Sequence, residues 1–194
     1  KARRRGAGPP LLIFSSNGQG IAMAGRDPHY AEAMEAADVI HADGMPVVLA
    51  SRLLTPTPIR GRSATTDLFH DIAAKAQTIG LNLFVLGGPE AENAKTVEAI
   101  KIQYPRLPIA GRRNGYFPRE QDADVCAEVV ACETDILLVG LGKPLQEIWS
   151  HRNRELLRGV GAIVTCGGLY AFLTGDARRA PLWMQTAGLE WLYR

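Results

Sequence analysis

Short apolar runs alternate along this chain with longer amphipathic ones, and no other feature limits its fold as much. Residues 11–15, 38–41, 81–86, 136–139 and 161–166 read as strands, with 107–110 as a further strand. Between them, residues 30–37, 46–54, 66–78, 90–103, 119–132 and 144–155 carry helical spacing, and 182–193 reads as a closing helix. In 66–78, for instance, Leu68, Ile72 and Ala76 fall on one face. Strands alternating with helices of about 10–15 residues form βαβ units around a mostly parallel sheet. The expected class is therefore α/β. No internal repeat, low-complexity segment or linker interrupts the pattern, so one domain from residue 11 to 194 is expected behind a basic tail at 1–10.

Composition narrows the function classes. With 46% hydrophobic and 22% charged residues the chain is not a disordered one. A chain of 194 residues buries about 70% of its unfolded surface and needs no covalent or metal staple. Lys and Arg number 22 against 20 Asp and Glu, a balance that argues against wholesale nucleic-acid binding. Cys126, Cys132 and Cys166 form no Cys-x-x-Cys pair, which argues against a disulfide framework or zinc ribbon and for reduced, cytosolic thiols. No apolar run reaches the ~18–20 residues of a transmembrane helix, and the start does not read as a signal peptide. Two basic clusters remain, one at Lys1, Arg3, Arg4 and Arg5 and one at Arg178 and Arg179. The second lies beside Trp183, Trp191 and Tyr193, a combination suited to an anionic membrane surface; the alternatives are a solvated terminus at 1–5 and packing of Trp183 and Trp191 on the domain.

In open α/β sheets ligands bind beyond the carboxyl ends of the strands, so the residues after each apolar run carry the information. The first run ends in Ser15, Ser16, Asn17 and Gly18. Later runs end in Gly87 and Gly88, in Gly140 and Gly142, and in Gly167 and Gly168. Glycine lets backbone N–H groups come close to a ligand, and a following helix N-terminus favours negative charge. Four such loops on one edge point to a nucleotide or sugar-phosphate site. Lys143 and Pro144 break the dinucleotide fingerprint after Gly142, and no P-loop is present, so dehydrogenase and kinase chemistry are disfavoured. Asp43, at a strand end before Gly44, is either a general base or a turn residue capping the next helix. His41 reads as a packing or hydrogen-bonding residue. Asp122 and Asp124 read as a solvated helix start, so no metal site is expected. Gln146 and Glu147 open a helix at the sheet edge, where Glu147 complements the helix dipole. Arg60 and Arg62 flank Gly61 in a loose loop and either clamp a diphosphate or are simply solvated at the surface.

These residues, in this order, resemble a known family. After Ser15-Ser-Asn17 come Asp43-Gly44, Gly87-Gly88, Tyr104-Pro105 and Gly115-Tyr-Phe117. Then follow Gly140-Leu-Gly-Lys-Pro-Leu-Gln-Glu147, Gly167-Gly168, Arg179-Ala-Pro181 and Gly188-Leu-Glu-Trp-Leu-Tyr-Arg194. The chain from about residue 11 onward is similar to the WecB/TagA/CpsF glycosyltransferases. The resemblance implies a Rossmann-like α/β domain and an inverting transferase. Such an enzyme moves a sugar from a UDP-sugar to a polyprenyl-diphosphate-linked saccharide in bacterial cell-surface polysaccharide assembly, without a cofactor or metal. It implies Asp43 as the base and Ser15, Asn17, Arg62 and Gln146 as substrate-binding residues. It also implies peripheral contact with the inner face of the cell membrane, while a homo-oligomer stays open. Two departures from the family's pattern stand out. Ala171 replaces an Asp usual after Gly-Gly-x-Phe, and members often continue past this point into a basic membrane-docking appendage. A non-catalytic nucleotide-sugar-binding or assembly subunit is the alternative.

Overall fold

Strand β3 (Leu83–Gly87) is buried along its whole length, and its side chains divide between two cores. Leu83 and Val85 point to one face of the sheet, Phe84 and Leu86 to the other, as the two-residue period of a strand requires. A strand buried on both faces belongs to a parallel sheet covered by helices on each side. In the computed structural model, which describes residues 8–178, 180–181 and 183–184, this is the arrangement.

The sheet is formed by β1 (Leu11–Ser16), β2 (Val39–Ala42), β3, β4 (Ile109–Arg113), β5 (Ile136–Gly140) and β6 (Ala162–Thr165). All described pairings are parallel, in the order β2-β1-β6-β5-β3-β4. The helices are α1 (Gly18–Ala24), α2 (Pro28–Glu35), α3 (Met45–Leu54), α4 (Thr65–Ile79), α5 (Glu90–Gln103), α6 (Asp122–Ala131), α7 (Leu145–Arg152) and α8 (Leu169–Leu173). One core packs Phe69, Ala73, Val97 and Ile100 on Leu83, Val85, Leu138 and Val164. The other packs Val125, Val129, Trp149 and Leu157 on Phe14, Phe84, Leu137 and Ile163. The expected α/β class, with a parallel sheet between helices, is thus the observed one.

Several boundaries differ from expectation. The strand expected at 107–110 runs Ile109–Arg113, because Leu107 N–H turns back to the Tyr104 carbonyl and the ladder to β3 begins only at Ile109. Its arginines are tolerated because β4 is an edge strand: Arg112 pairs with Glu90 and Arg113 with Glu128. The helix expected at 119–132 is a 3-10 turn (Arg119–Gln121) followed by α6, and the one expected at 144–155 ends at Arg152. Helices α1 and α8 were not expected at all. Both are short: α1 opens on Gly18 and is capped by Asn17, whereas α8 follows Gly167 and Gly168 without a side-chain cap and rests on the burial of Leu169 and Tyr170. Of the helix expected at 182–193 only Trp183 and Met184 lie within the described residues. The basic cluster at 1–5 and Arg179 lie outside them.

Candidate functional site

Chain direction reverses at β1. The chain leaves it outward to β2, while its other neighbour, β6, is the last strand among the described residues. A crevice forms at such a switch point, above the carboxyl ends. Here it is a cleft of about 550 Å³ whose lining includes Ser15 near the end of β1 and Asn17 after it, Asp43 and Gly44 after β2, Arg62 before α4 and Thr65 at its start, and Gly167 and Gly168 after β6. Gly142 and Lys143, from the turn after β5, complete one wall.

Asp43 stands at the end of β2, with its N–H bonded to the Ser16 carbonyl at 2.8 Å. Gly44 follows at φ 139, a conformation that side chains disfavour, and turns the chain into α3. Gly44 is itself the N-cap of α3, and no side chain caps that helix. Asp43 is therefore not a helix cap. Its Oδ2 accepts a hydrogen bond from Thr65 Oγ1 at 3.2 Å, which holds the carboxylate at the cleft wall. His41, two residues earlier, packs at the strand with Nδ1 2.9 Å from the Ser63 carbonyl. Asn17 caps α1 by accepting the Gly20 N–H at 2.9 Å, so one residue both ends β1 and starts α1. Arg62 lies 3.9 Å from the Asp67 carboxylate, its side chain mostly buried beside the cleft.

Beneath the cleft is a polar network that the sequence did not disclose. Gln146 is fully buried; its Oε1 accepts the Gly167 N–H at 3.0 Å and its Nε2 donates to Glu147 Oε1 at 2.9 Å. Gln146 thus braces the glycine loop from behind rather than lining the cleft. Glu147 does not merely complement a helix dipole at the surface. It is fully buried, and its Oε1 also takes a hydrogen bond from Lys143 Nζ at 3.0 Å. The same ammonium donates to the Ser15 carbonyl and lies 3.4 Å from Tyr30 Oη. Burial, and then the Glu147 charge, push the Tyr30 phenol up to about 12. Lys143 thereby ties the end of β1 to the start of α7.

The remaining glycines divide by role. Gly87 lines neither of the two clefts: a Cβ there would come within 2.3 Å of the Gly140 carbonyl oxygen, so β3 and β5 touch at this point. A Cβ on Gly140 would meet the Tyr170 ring at 2.7 Å. Tyr170 is buried, donates to the Leu86 carbonyl at 2.8 Å, and is pushed well above the ordinary phenol range by burial. Gly88 and Gly140 border a second cleft of about 600 Å³ with Tyr116, Phe117 and Leu145. Ala171, standing in place of the usual Asp, lines neither cleft.

Asp122 is not solvated. It is buried and receives Trp149 Nε1 at 2.9 Å, Asn153 Nδ2 at 3.3 Å and Arg152, which makes it an anchor between α6 and α7. Asp124 is exposed, as expected. Among the described residues no three His, Cys, Asp or Glu side chains converge on a metal-sized site, and no helix is long and apolar enough to cross a membrane.

Residues 2–194 match the Glycosyl transferase WecG/TagA/CpsF family. A relative from Bacillus spizizenii, described as N-acetylglucosaminyldiphosphoundecaprenol N-acetyl-beta-D-mannosaminyltransferase, is 33% identical over 169 residues. That alignment takes in 87% of this chain and 64% of the relative, so the chain spans less than two thirds of the relative's length.

Proposed function

The chain belongs to the WecG/TagA/CpsF glycosyltransferase family, and from that membership we propose that it transfers a sugar from a UDP-sugar to a polyprenyl-diphosphate-linked saccharide. The setting is cell-surface polysaccharide biosynthesis at the inner face of a bacterial membrane. The observation that carries the assignment of roles is the Asp43 carboxylate, which caps no helix and is held at the wall of the main cleft by Thr65.

In this reading the acceptor hydroxyl gives its proton to Asp43 as its oxygen attacks the anomeric carbon. The bond from that carbon to the UDP oxygen breaks, and the configuration inverts. Charge develops on the leaving diphosphate. Arg62 and the backbone N–H of Gly168 supply positive potential in the same cleft. Ser15 and Asn17 contact substrate from the β1 side. Gln146 acts as a positioning residue, through its hydrogen bond to the Gly167 N–H.

The test is Asp43→Asn. Turnover falls by ~10²–10⁴-fold, the usual scale for loss of a general base. UDP binding survives: at a ligand concentration of about 100 dissociation constants UDP still adds about 2.7 kcal/mol of stability, a thermal shift of several degrees. Near-normal turnover by the variant would refute the assignment of Asp43.

A further inference from the structure

Residues 52–61 are ten consecutive exposed positions, the longest such run among the described residues. They begin in the last turn of α3 and continue into the loop that returns to Arg62. An exposed loop is ordinary; this one is not polar. Leu53 is 87% exposed and Leu54 81%, with Ile59 also projecting. Leu49, one helical turn before Leu53, extends the apolar face back along α3. The inner face of the same helix is accounted for, since Val48 and Ser51 are buried. The leucines therefore face outward because nothing in the described chain covers them.

Charge identifies the occupant. From Gly44 to Thr66 the sequence holds Arg52, Arg60 and Arg62 and no Asp or Glu. Exposed leucines flanked in the chain by the exposed Arg52 and Arg60, with Arg62 held at the cleft beside Asp67, fit an anionic bilayer, which takes the apolar side chains below its headgroups and the cations at its phosphates. A second copy of the chain fits worse. A twofold interface sets the same patch against itself and would oppose Arg52 and Arg60 to their own kind. Position agrees with charge. The first turn of α3, at Met45, Pro46 and Val47, lines the main cleft, and ten helical residues span about 15 Å.

We propose that the end of α3 and the following loop, with Leu53, Leu54 and Ile59 flanked by Arg52 and Arg60, form a lipid-docking tip that seats on an anionic membrane surface. Resting on the transferase reading, this places the tip one helix length from the cleft, with the cleft facing a sugar that stays tethered to that surface.

The test is cosedimentation of the full 194-residue chain with vesicles of equal parts phosphatidylcholine and phosphatidylglycerol, against pure phosphatidylcholine. The chain binds the anionic vesicles, and the double variant Leu53→Asp, Leu54→Asp lowers that binding at least about tenfold. Arg52→Glu lowers it about fivefold, and added salt weakens it. Both variants keep the thermal midpoint and the UDP response, because these positions are exposed and outside the cleft. Unchanged vesicle binding by the double variant overturns the proposal, as does a wild type that ignores anionic vesicles. So does a wild-type dimer that the double variant renders monomeric without change in lipid binding. Turnover on a short-chain, detergent-soluble acceptor reports on the transferase reading separately: its absence, with vesicle binding still lost in the double variant, would sink that reading and leave the tip standing.

Discussion

Replacing Lys143 by Met removes the cation that faces a carboxylate with no access to water. Glu147 is fully buried, and its Oε1 depends on two donors, Lys143 Nζ at 3.0 Å and Gln146 Nε2 at 2.9 Å. Its Oε2 is buried with no hydrogen-bond partner among the described residues. In the variant one amide N–H alone faces a buried negative charge. Breaking a buried pair in this way costs about 3–5 kcal/mol, to which the lost bond at the Ser15 carbonyl adds about 1 kcal/mol. Adding Glu147→Gln to Lys143→Met removes the stranded charge, and the double variant should regain at least about 2 kcal/mol over the single one. Urea unfolding with an unchanged m-value reads the difference, and a thermal scan of Lys143→Met falls by roughly 10 °C or more. A double variant no more stable than Lys143→Met would refute the reasoning, because the damage would then come from lost packing of the lysine stem and not from the carboxylate left behind.

Two further perturbations test other parts of the fold. Gly87→Ala sets a methyl group 2.3 Å from the Gly140 carbonyl oxygen at a φ of 125, so it should cost at least about 3 kcal/mol in urea unfolding or abolish soluble expression. Wild-type stability in that variant would mean that β3 and β5 separate freely at their ends. Alkali should destabilise the protein. Burial raises the Cys126 thiol from 9.0 to about 12 and the Tyr30 phenol from 10.0 to about 12. The unfolded chain then releases these protons first as pH rises. Stability is thus fully present below about pH 9 and declines from there toward about pH 12, and the urea midpoint at about pH 10 should lie below that at about pH 8. A midpoint that rises over that interval would contradict the burial of both groups.

Much of this was legible in the sequence, for a physical reason. A parallel sheet covered on both sides needs continuous apolar strands such as Leu83 to Leu86, and continuous apolar runs are visible without long-range information. The strand-end loops were visible for the same reason. The meaning of their glycines was not: Gly142, Gly167 and Gly168 line the main cleft, while Gly87 and Gly140 are small because another strand and the Tyr170 ring press on them. Local spacing does not separate a glycine that admits a ligand from one that admits a neighbouring backbone. The sequence alone admits Asp43 as either a cap or a base, and Gly44 taking the cap position at α3 removes the first choice. The Lys143 network stayed hidden because its members meet only in the folded chain: Ser15, Tyr30 and Lys143 belong to β1, α2 and the turn before α7. Asp122 was misjudged for a like reason, since Trp149, Arg152 and Asn153 reach it from another helix and its end.

The pairing of Leu11 with Ala162 has a consequence for how this chain is made. β1 finds β2 soon after both are made, and then waits for its second neighbour until β6 has been synthesised. At about 5–20 residues per second that wait is roughly 7–30 s. For that interval the inner edge of β1 presents unpaired backbone N–H and C=O groups to every other nascent chain nearby. The Gly167–Gly168 wall of the cleft arrives in the same late stretch. Closure of the cleft wall and protection of the β1 edge therefore begin together, when β6 slides into the middle of the sheet.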